Sequence, residues 1–287
     1  MKPKHLALML LINILWASNF LAAKIGMTIF PPLLFTALRF LMVVIILLPF
    51  ARIPRGYWIK VLQMGLLMGV LHFSLMFWGL SLAEEISPVA ILSQIFVPFS
   101  TLLAILFLKE QVGWRRWSAI ILSFTGVMII GFDDSAFDTL LAPGLVIIAS
   151  LFVSINLILV RTMPHAGALN LTFWTAALGM IPLFILSMIF ESGQTDAILN
   201  ANIQQWSGVA YSAIGASVIG HGAANLLLKY YPVSTVAPYY MLVPVFAVIL
   251  GVIFWDDRIT TTLFIGGSMV MAGVATITLR SFSRKTS

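Results

Sequence analysis

The chain has 287 residues, 61% hydrophobic and 9% charged, with a formal net charge of +6 and a mean hydropathy of +1.05. A soluble domain carries about 25% charged residues, so this composition excludes a solvated globule. The absence of cysteine excludes disulfides, thiolate metal sites and cysteine nucleophiles, and no G-x-x-x-x-G-K-[ST] string supports a nucleotide-driven machine.

The apolar residues fall in blocks of about 20, the length a helix needs to cross about 30 Å of hydrocarbon. Ten spans are predicted, at 6–28, 33–50, 61–83, 88–108, 117–132, 141–160, 169–190, 207–228, 234–255 and 262–280. Strand-length alternation is missing, so an all-α integral membrane protein is expected. The first run follows Lys2 and Lys4 but is longer than a signal-peptide core, and nine spans follow it, so it reads as a retained helix. The stretch 191–206 reads as a polar loop with room for an amphipathic turn.

Charges sort with the loops. Lys2, Lys4, Arg52, Arg55, Lys60, Lys109, Arg115, Arg116, Arg161, Lys229, Arg280, Arg284 and Lys285 fall on one side. Glu84, Glu85, Asp133, Asp134, Asp138, Glu191, Asp196, Asp256 and Asp257 fall on the other, and only Glu110 and Arg258 cross over. The positive-inside rule then places both termini in the cytoplasm and the chain in the inner (plasma) membrane. Basic residues that recur in alternate loops, rather than on one face with interleaved aromatics, argue against nucleic acid as a partner.

Residues 87–131 and 234–277 read as two copies of one segment, 147 residues apart. Ser87, Val89 and Ala90 recur as Ser234, Val236 and Ala237; Phe99 and Phe107 recur as Phe246 and Phe254; Glu110 recurs as Asp257, and Gly126-Val127 as Gly273-Val274. A weaker match pairs Asn19 and Lys24 with Asn156 and Arg161. Five spans per half is an odd number, so the halves run in opposite directions. The expected organisation is two inverted five-helix repeats, 1–132 and 141–280, with a short basic tail at 281–287. Many secondary transporters build a site that can face either side in this way.

The strings Trp16-Ala-Ser-Asn19-Phe20 with Lys24, Pro31-Pro32, Ala37-Leu38-Arg39-Phe40 and Phe107-Leu-Lys109-Glu110 resemble the EamA family of the drug/metabolite transporter (DMT) superfamily. Val236-Ala237-Pro238, Leu242-Val243-Pro244 and Asp256-Asp257-Arg258 carry the likeness in the second half, with Asp257 a shortened acid where that family usually has Glu. The resemblance covers essentially the whole chain. It implies ten helices, a central cavity between repeats and export of small metabolites. Within the family the chain is most similar to bacterial exporters of amino acids and cysteine-pathway metabolites.

Polar residues inside spans are the candidate site. A charge at the centre of a membrane helix costs about 2.5–3.5 kcal/mol on the mildest scale. Arg39 therefore faces the bundle, either as a carboxylate or phosphate clamp or as a structural group answered by carbonyls or the interface. Lys24, nearer a helix end, either contacts substrate or snorkels. His72 and His221 occupy corresponding places in the repeats and suit either proton coupling or interhelical bonding. Asn19, Gln94 and Asn156 offer donors and acceptors for an ammonium or amide, or bond helix to helix. Trp16, Trp78 and Trp174 can line a cavity, and of the pair Tyr239 and Tyr240 after Pro238 one is expected to face inward, Tyr239 being the candidate. Pro98 and Pro244 are expected to bend helices four and nine as gates. Gly65 with Gly69, and Ala216, Gly220 and Ala224, form small-residue ridges for close packing.

No Asp or Glu lies deep in a span, which favours zwitterionic or anionic cargo over lipophilic cations. The expected function is secondary-active export of small polar metabolites, amino acids or related zwitterions, by alternating access. The alternative within transport is uptake or exchange of an organic anion. An intramembrane enzyme is a remote alternative, because no catalytic constellation is seen. The expected partners are a small-molecule substrate, the lipid bilayer and protons as coupling ion, with no metal or cofactor, in a monomer or homodimer.

Overall fold

The computed structural model describes residues 3–53, 56–108, 113–133, 137–163, 166–231 and 237–283. All regular structure among them is helical. Helices or runs of helices occupy the described parts of the apolar stretches read from the sequence, with ends shifted by a few residues. Six helices are long and apolar enough to cross a membrane: Pro3–Gly26, Pro32–Phe50, Trp58–Leu82, Ile86–Phe107, Leu141–Val160 and Ala168–Phe190. Shorter apolar helices cover Trp117–Gly131, Tyr239–Phe254 and Thr261–Ile277. The predicted amphipathic turn is a short helix, Gln194–Asn200, entered through left-handed Gly193 (φ 76°). Helix Thr261–Ser283 takes in the first residues of the predicted tail. Glu110 and Ser234 of the sequence repeat lie outside the described residues.

Two helices are rewound where the sequence showed only small-residue ridges. Gly65–His72 and Ser212–His221 are π-helical, with α-helix on both sides. Their starts are 147 residues apart, the spacing of the sequence repeat, and each ends on a histidine. A π segment shifts the side chains that follow it around the axis and is frequent at functional sites.

Helix four is interrupted at Gln94-Ile95. Pro98 has no N–H to give the Gln94 carbonyl, which Val97 N takes instead at 3.0 Å, while Gln94 N and Ile95 N bond three residues back. The exposed carbonyls of Ser93 and Phe96 meet the hydroxyls of Ser150 and Ser154 at 3.2 and 2.9 Å. In the second half a 3-10 turn, Ala237–Met241, precedes helix Leu242–Phe254, in which Pro244 is the third residue. Both prolines therefore sit just inside a helix that follows a tightened turn.

Helices Trp114–Gly131 and Thr261–Ser283 cross backbone to backbone. A Cβ on Gly126 would strike the carbonyl of Gly266 and Val270, and one on Gly273 would strike the carbonyl of Ala119 and Ser123. Residue 126 plus 147 is 273, and 119 plus 147 is 266, so the two contacts exchange under the repeat. Such reciprocity marks a two-fold contact. A second close approach joins Gly69 to Gly179 and the Thr175 carbonyl.

The loops gather at two ends of opposite character. At the basic end, His5 Nδ1 lies 2.8 Å from Tyr231 Oη, Asn170 Oδ1 accepts from Arg52 N at 2.8 Å, and Lys60 Nζ donates to Thr162 O at 3.4 Å. At the acidic end, carboxylates cap helix N-termini. Glu191 accepts from Leu33 N and Leu34 N at 2.7 and 3.1 Å, just behind Pro32 at the start of that helix. Anions are favoured there by the helix dipole and the unpaired N–H groups.

Replacing Gly266 by Leu forces a side chain into the Gly126 carbonyl and Ile130, and should destabilise the chain by about 1–3 kcal/mol. Thermal melts in detergent read this, with Gly144→Ala, which meets nothing within 4 Å inside its helix, as the control expected to hold or slightly raise the midpoint.

Candidate functional site

Arg39 is the largest fully buried side chain in the structure, 1% exposed. Three phenyl rings enclose its guanidinium, with Phe73 at 4.5 Å, Phe77 at 5.2 Å and Phe40 at 5.7 Å from Cζ. Cation–π contacts of this kind contribute about 0.5–2 kcal/mol each, less than the several kcal/mol that burying an ion costs. Its only polar partner among the described residues is Ser217, whose Oγ accepts from Nε at 3.0 Å and from Nη2 at 2.8 Å.

Ser217 is on the π segment and donates its own proton to the Ser212 carbonyl five residues back, at 2.9 Å. With two bonds accepted and one donated, that oxygen is saturated. Nη1 of Arg39 is buried with no partner, and no carboxylate among the described residues answers its charge. Further buried side-chain atoms without partners among the described residues are Ser212 Oγ, Asn13 Oδ1, Asn19 Oδ1, Asn156 Oδ1 and, at the acidic end, Glu85 Oε2.

Trp16 joins this group through the same π segment. Its Nε1 donates to the Ala216 carbonyl at 3.2 Å, beside Ser217 in sequence, and its ring lies 5.0 Å from His221 and 5.1 Å from Tyr240. Gly220 makes room, since a Cβ there would overlap the indole nitrogen. Arg39, Ser217, Trp16, His221 and Tyr240 thus form one connected set, with Asn19 one helical turn from Trp16.

Of the other sequence candidates, His72 borders the enclosure, its ring 4.9 Å from that of Phe73, and the rest are placed elsewhere. Lys24 Nζ donates to the Ala83 carbonyl at the acidic end and lies 5.9 Å from the Trp255 ring, beside Asp257 and Glu84, so it closes a helix end. Trp78 is 36% exposed on the outside of the bundle. Trp174 donates to the Arg52 carbonyl at 2.9 Å and stands 4.9 Å from Trp58 at the basic end. Both tyrosines of the pair, with Trp16, pack against the cluster of Met9, Ile12, Ala224 and Leu227, and Tyr240 also meets the Trp16 ring. Gln94 is buried at the helix break and Asn156 on the neighbouring helix Leu141–Arg161. His72 Nδ1 meets the Ala149 carbonyl at 2.8 Å, which ties two helices together. His221 makes no hydrogen bond among the described residues, its ring meeting that of Trp16.

Ser217 was not singled out in the sequence, and Tyr240 only as the alternative to Tyr239. The usable signal for Ser217 was its spacing of four from His221, which puts both on one helix face. No group of metal-ligating side chains occurs among the described residues. A cleft of about 350 Å³ between Ile91, Pro244, Val248, Leu263 and Gly267 opens on the apolar flank and does not include Arg39.

Matches to the EamA-like transporter family run over residues 4–132 and again over 140–279. The chain belongs to that family. It is 24% identical over 282 residues to a "Probable amino-acid metabolite efflux pump" of Escherichia coli (strain K12), covering 96% of this chain and 94% of the other. It is 23% identical to the protein of the same name in Salmonella typhimurium, with the same coverage. "Uncharacterized transporter YdfC" of Bacillus subtilis is 26% identical, over 90% of this chain and 85% of its own length. One solved crystal structure superposes over the full length of both chains with a TM-score of 0.67 at 17% identity, which shows the fold alone. The chain is thus a multi-pass membrane transporter of the DMT superfamily and not an enzyme.

At the acidic end, burial pushes the Glu85 carboxyl above its ordinary value of 4.5, with Asp257 and Asp133 adding to the rise and the bond from Arg258 N opposing it. Between 4.5 and the raised value the folded chain holds a proton that the unfolded chain has lost, so stability falls as pH rises through that window. Glu85→Gln should remove this part of the pH slope in thermal melts; an unaltered slope contradicts the assignment.

Proposed function

We propose that this transporter exports small polar metabolites that carry a carboxylate, amino acids or related zwitterions, by alternating access. In this reading it crosses the inner membrane ten times as two inverted five-helix repeats, 1–132 and 141–280. The basic end and both termini face the cytoplasm. The reciprocal Gly126–Gly266 and Gly273–Ala119 contacts and the paired π segments support the repeat. The twofold family match supports it independently.

One observation carries the substrate class: Arg39 is buried as a cation with Nη1 unpaired. A carboxylate there gains charge-assisted bonds and removes the penalty of an unanswered charge. The unpaired oxygen of Asn19, one helical turn from Trp16, supplies an acceptor for an ammonium, which favours a zwitterion over a simple organic anion. Uptake or exchange of an organic anion is the second reading and rests on Arg39 alone. The names of the two enterobacterial relatives support the export direction. His221, beside Trp16 and free of backbone bonds among the described residues, is the better proton carrier of the two histidines.

The test is efflux from cells preloaded with labelled amino acids and related metabolites, with and without a pH gradient. Arg39→Ala should lower efflux of the carboxylate-bearing substrate about 100-fold at normal abundance, the scale of removing one member of a buried charge pair. Arg39→Lys should recover only part of it, because an ammonium cannot bind bidentately. Efflux that is unchanged, or that falls only in step with abundance, refutes the clamp.

A further inference from the structure

The acidic end holds a second arrangement that the Arg39 site does not use. Asp257, 5% exposed, accepts from Ile86 N at 3.1 Å, from Ser87 N at 2.7 Å and from Ser87 Oγ at 2.5 Å. These are the free donors at the start of helix Ile86–Ser93, whose next residue, Pro88, has none to offer. Neighbouring bonds run in parallel: Trp255 Nε1 donates to the Glu84 carbonyl at 3.0 Å, Arg258 N to Glu85 Oε1 at 3.0 Å, and Lys24 to the Ala83 carbonyl. Every residue from 83 to 87 is therefore held by the 255–258 turn or by Lys24.

The turn is built for this contact. Asp256 adopts φ 58°, a conformation L side chains rarely take. Gly251 lies directly beneath, and a Cβ there would overlap the Asp257 carboxylate and the Ser87 hydroxyl. The Gly251 carbonyl accepts from Trp255 N at 2.9 Å and Asp257 N at 3.2 Å, which fixes the turn. One helical turn inward, Ala90 packs with Ala17, Val243 and Ala247, so three helices meet through small residues under the clasp. Residues 83–87 lie in the first family match and 255–258 in the second. The clasp thus joins the two halves at the end remote from the His5–Tyr231 pair.

We propose that Asp257, Ser87 and Gly251 form the outer gate of the transport cycle. Release of the Asp257–Ser87 clasp separates the 83–87 and 255–258 turns and opens the path from Arg39 to the outside. The proposal rests on the transport reading above. A polar clasp at a water-facing end suits a gate: once parted, the carboxylate and the N–H groups are hydrated, so opening exchanges bonds rather than stranding them. An apolar seal of the same area would instead resist opening by the surface it exposes.

The chain has no cysteine, so Ala90→Cys is a single reporter just beneath the clasp. Its modification by a membrane-impermeant cationic methanethiosulfonate is followed from outside in cells and from the cytoplasmic side in inverted vesicles. With the clasp intact, outside labelling should be slow. Asp257→Asn should speed outside labelling by about tenfold, equivalent to about 1.4 kcal/mol lost from the closed state. Ser87→Ala, which keeps both backbone bonds, should speed it less, and Asp257→Glu should restore it toward the parent rate. If neither Asp257→Asn nor Ser87→Ala changes outside labelling, or if labelling rises equally from both sides, the gate is overturned. Absence of efflux by the unmodified chain overturns the transport reading and the gate with it; efflux with unsided labelling overturns the gate alone.

Discussion

A guanidinium enclosed by Phe40, Phe73 and Phe77 has lost most of its water, and ring faces return only part of what hydration gave. The remainder falls to Ser217, a neutral group that cannot cancel a charge. Much of the surrounding architecture follows from keeping this cation in place. The π segment Ser212–His221 brings Ser217 toward Arg39 and, through the Ala216 carbonyl, anchors Trp16. Gly220 yields the space that the indole fills. In the proposed reading an anionic cargo would complete this site electrostatically, whereas a cation would be repelled by it.

The same electrostatic logic governs the acidic end with opposite sign. There the fixed partial charge is the positive end of a helix, and Asp257 and Glu191 answer it from distant segments of chain. These carboxylates sit where water can replace their partners, which Arg39's surroundings do not allow. On the proposed reading the centre would take a ligand and the acidic end would make a reversible contact. Glycine at residues 126, 266 and 273 keeps helices in close contact between the halves, and Gly251 does the same for the clasp.

Much of this was legible in the chain itself. Span positions, the two families of loop charge, the 147-residue repeat and the singular status of Arg39 follow from hydropathy, charge and spacing. The π segments were not legible, because helix periodicity reads one winding and cannot register a local change in hydrogen-bond ring. For the same reason Ser217 was hidden: a serine in an apolar span is ordinary until its neighbour across the bundle is known. For Lys24 the sequence left substrate contact and a helix-end role open, because it gives depth but not the Ala83 carbonyl that receives the ammonium. The 3-10 turn that carries Tyr239 and Tyr240 was hidden for a related reason, and with it the contact of the Tyr240 ring with Trp16.

The central claim is that the buried Arg39 takes a carboxylate. Crystals of the purified protein soaked with bromoacetate and bromopropionate would test it by the anomalous signal of bromine. The account predicts a peak beside Nη1 of Arg39, between Ser217 and Trp16, that is lost when an uncharged bromo-amide replaces the acid. Peaks confined to the basic loops, or an amide peak equal to the acid's at Arg39, would contradict it.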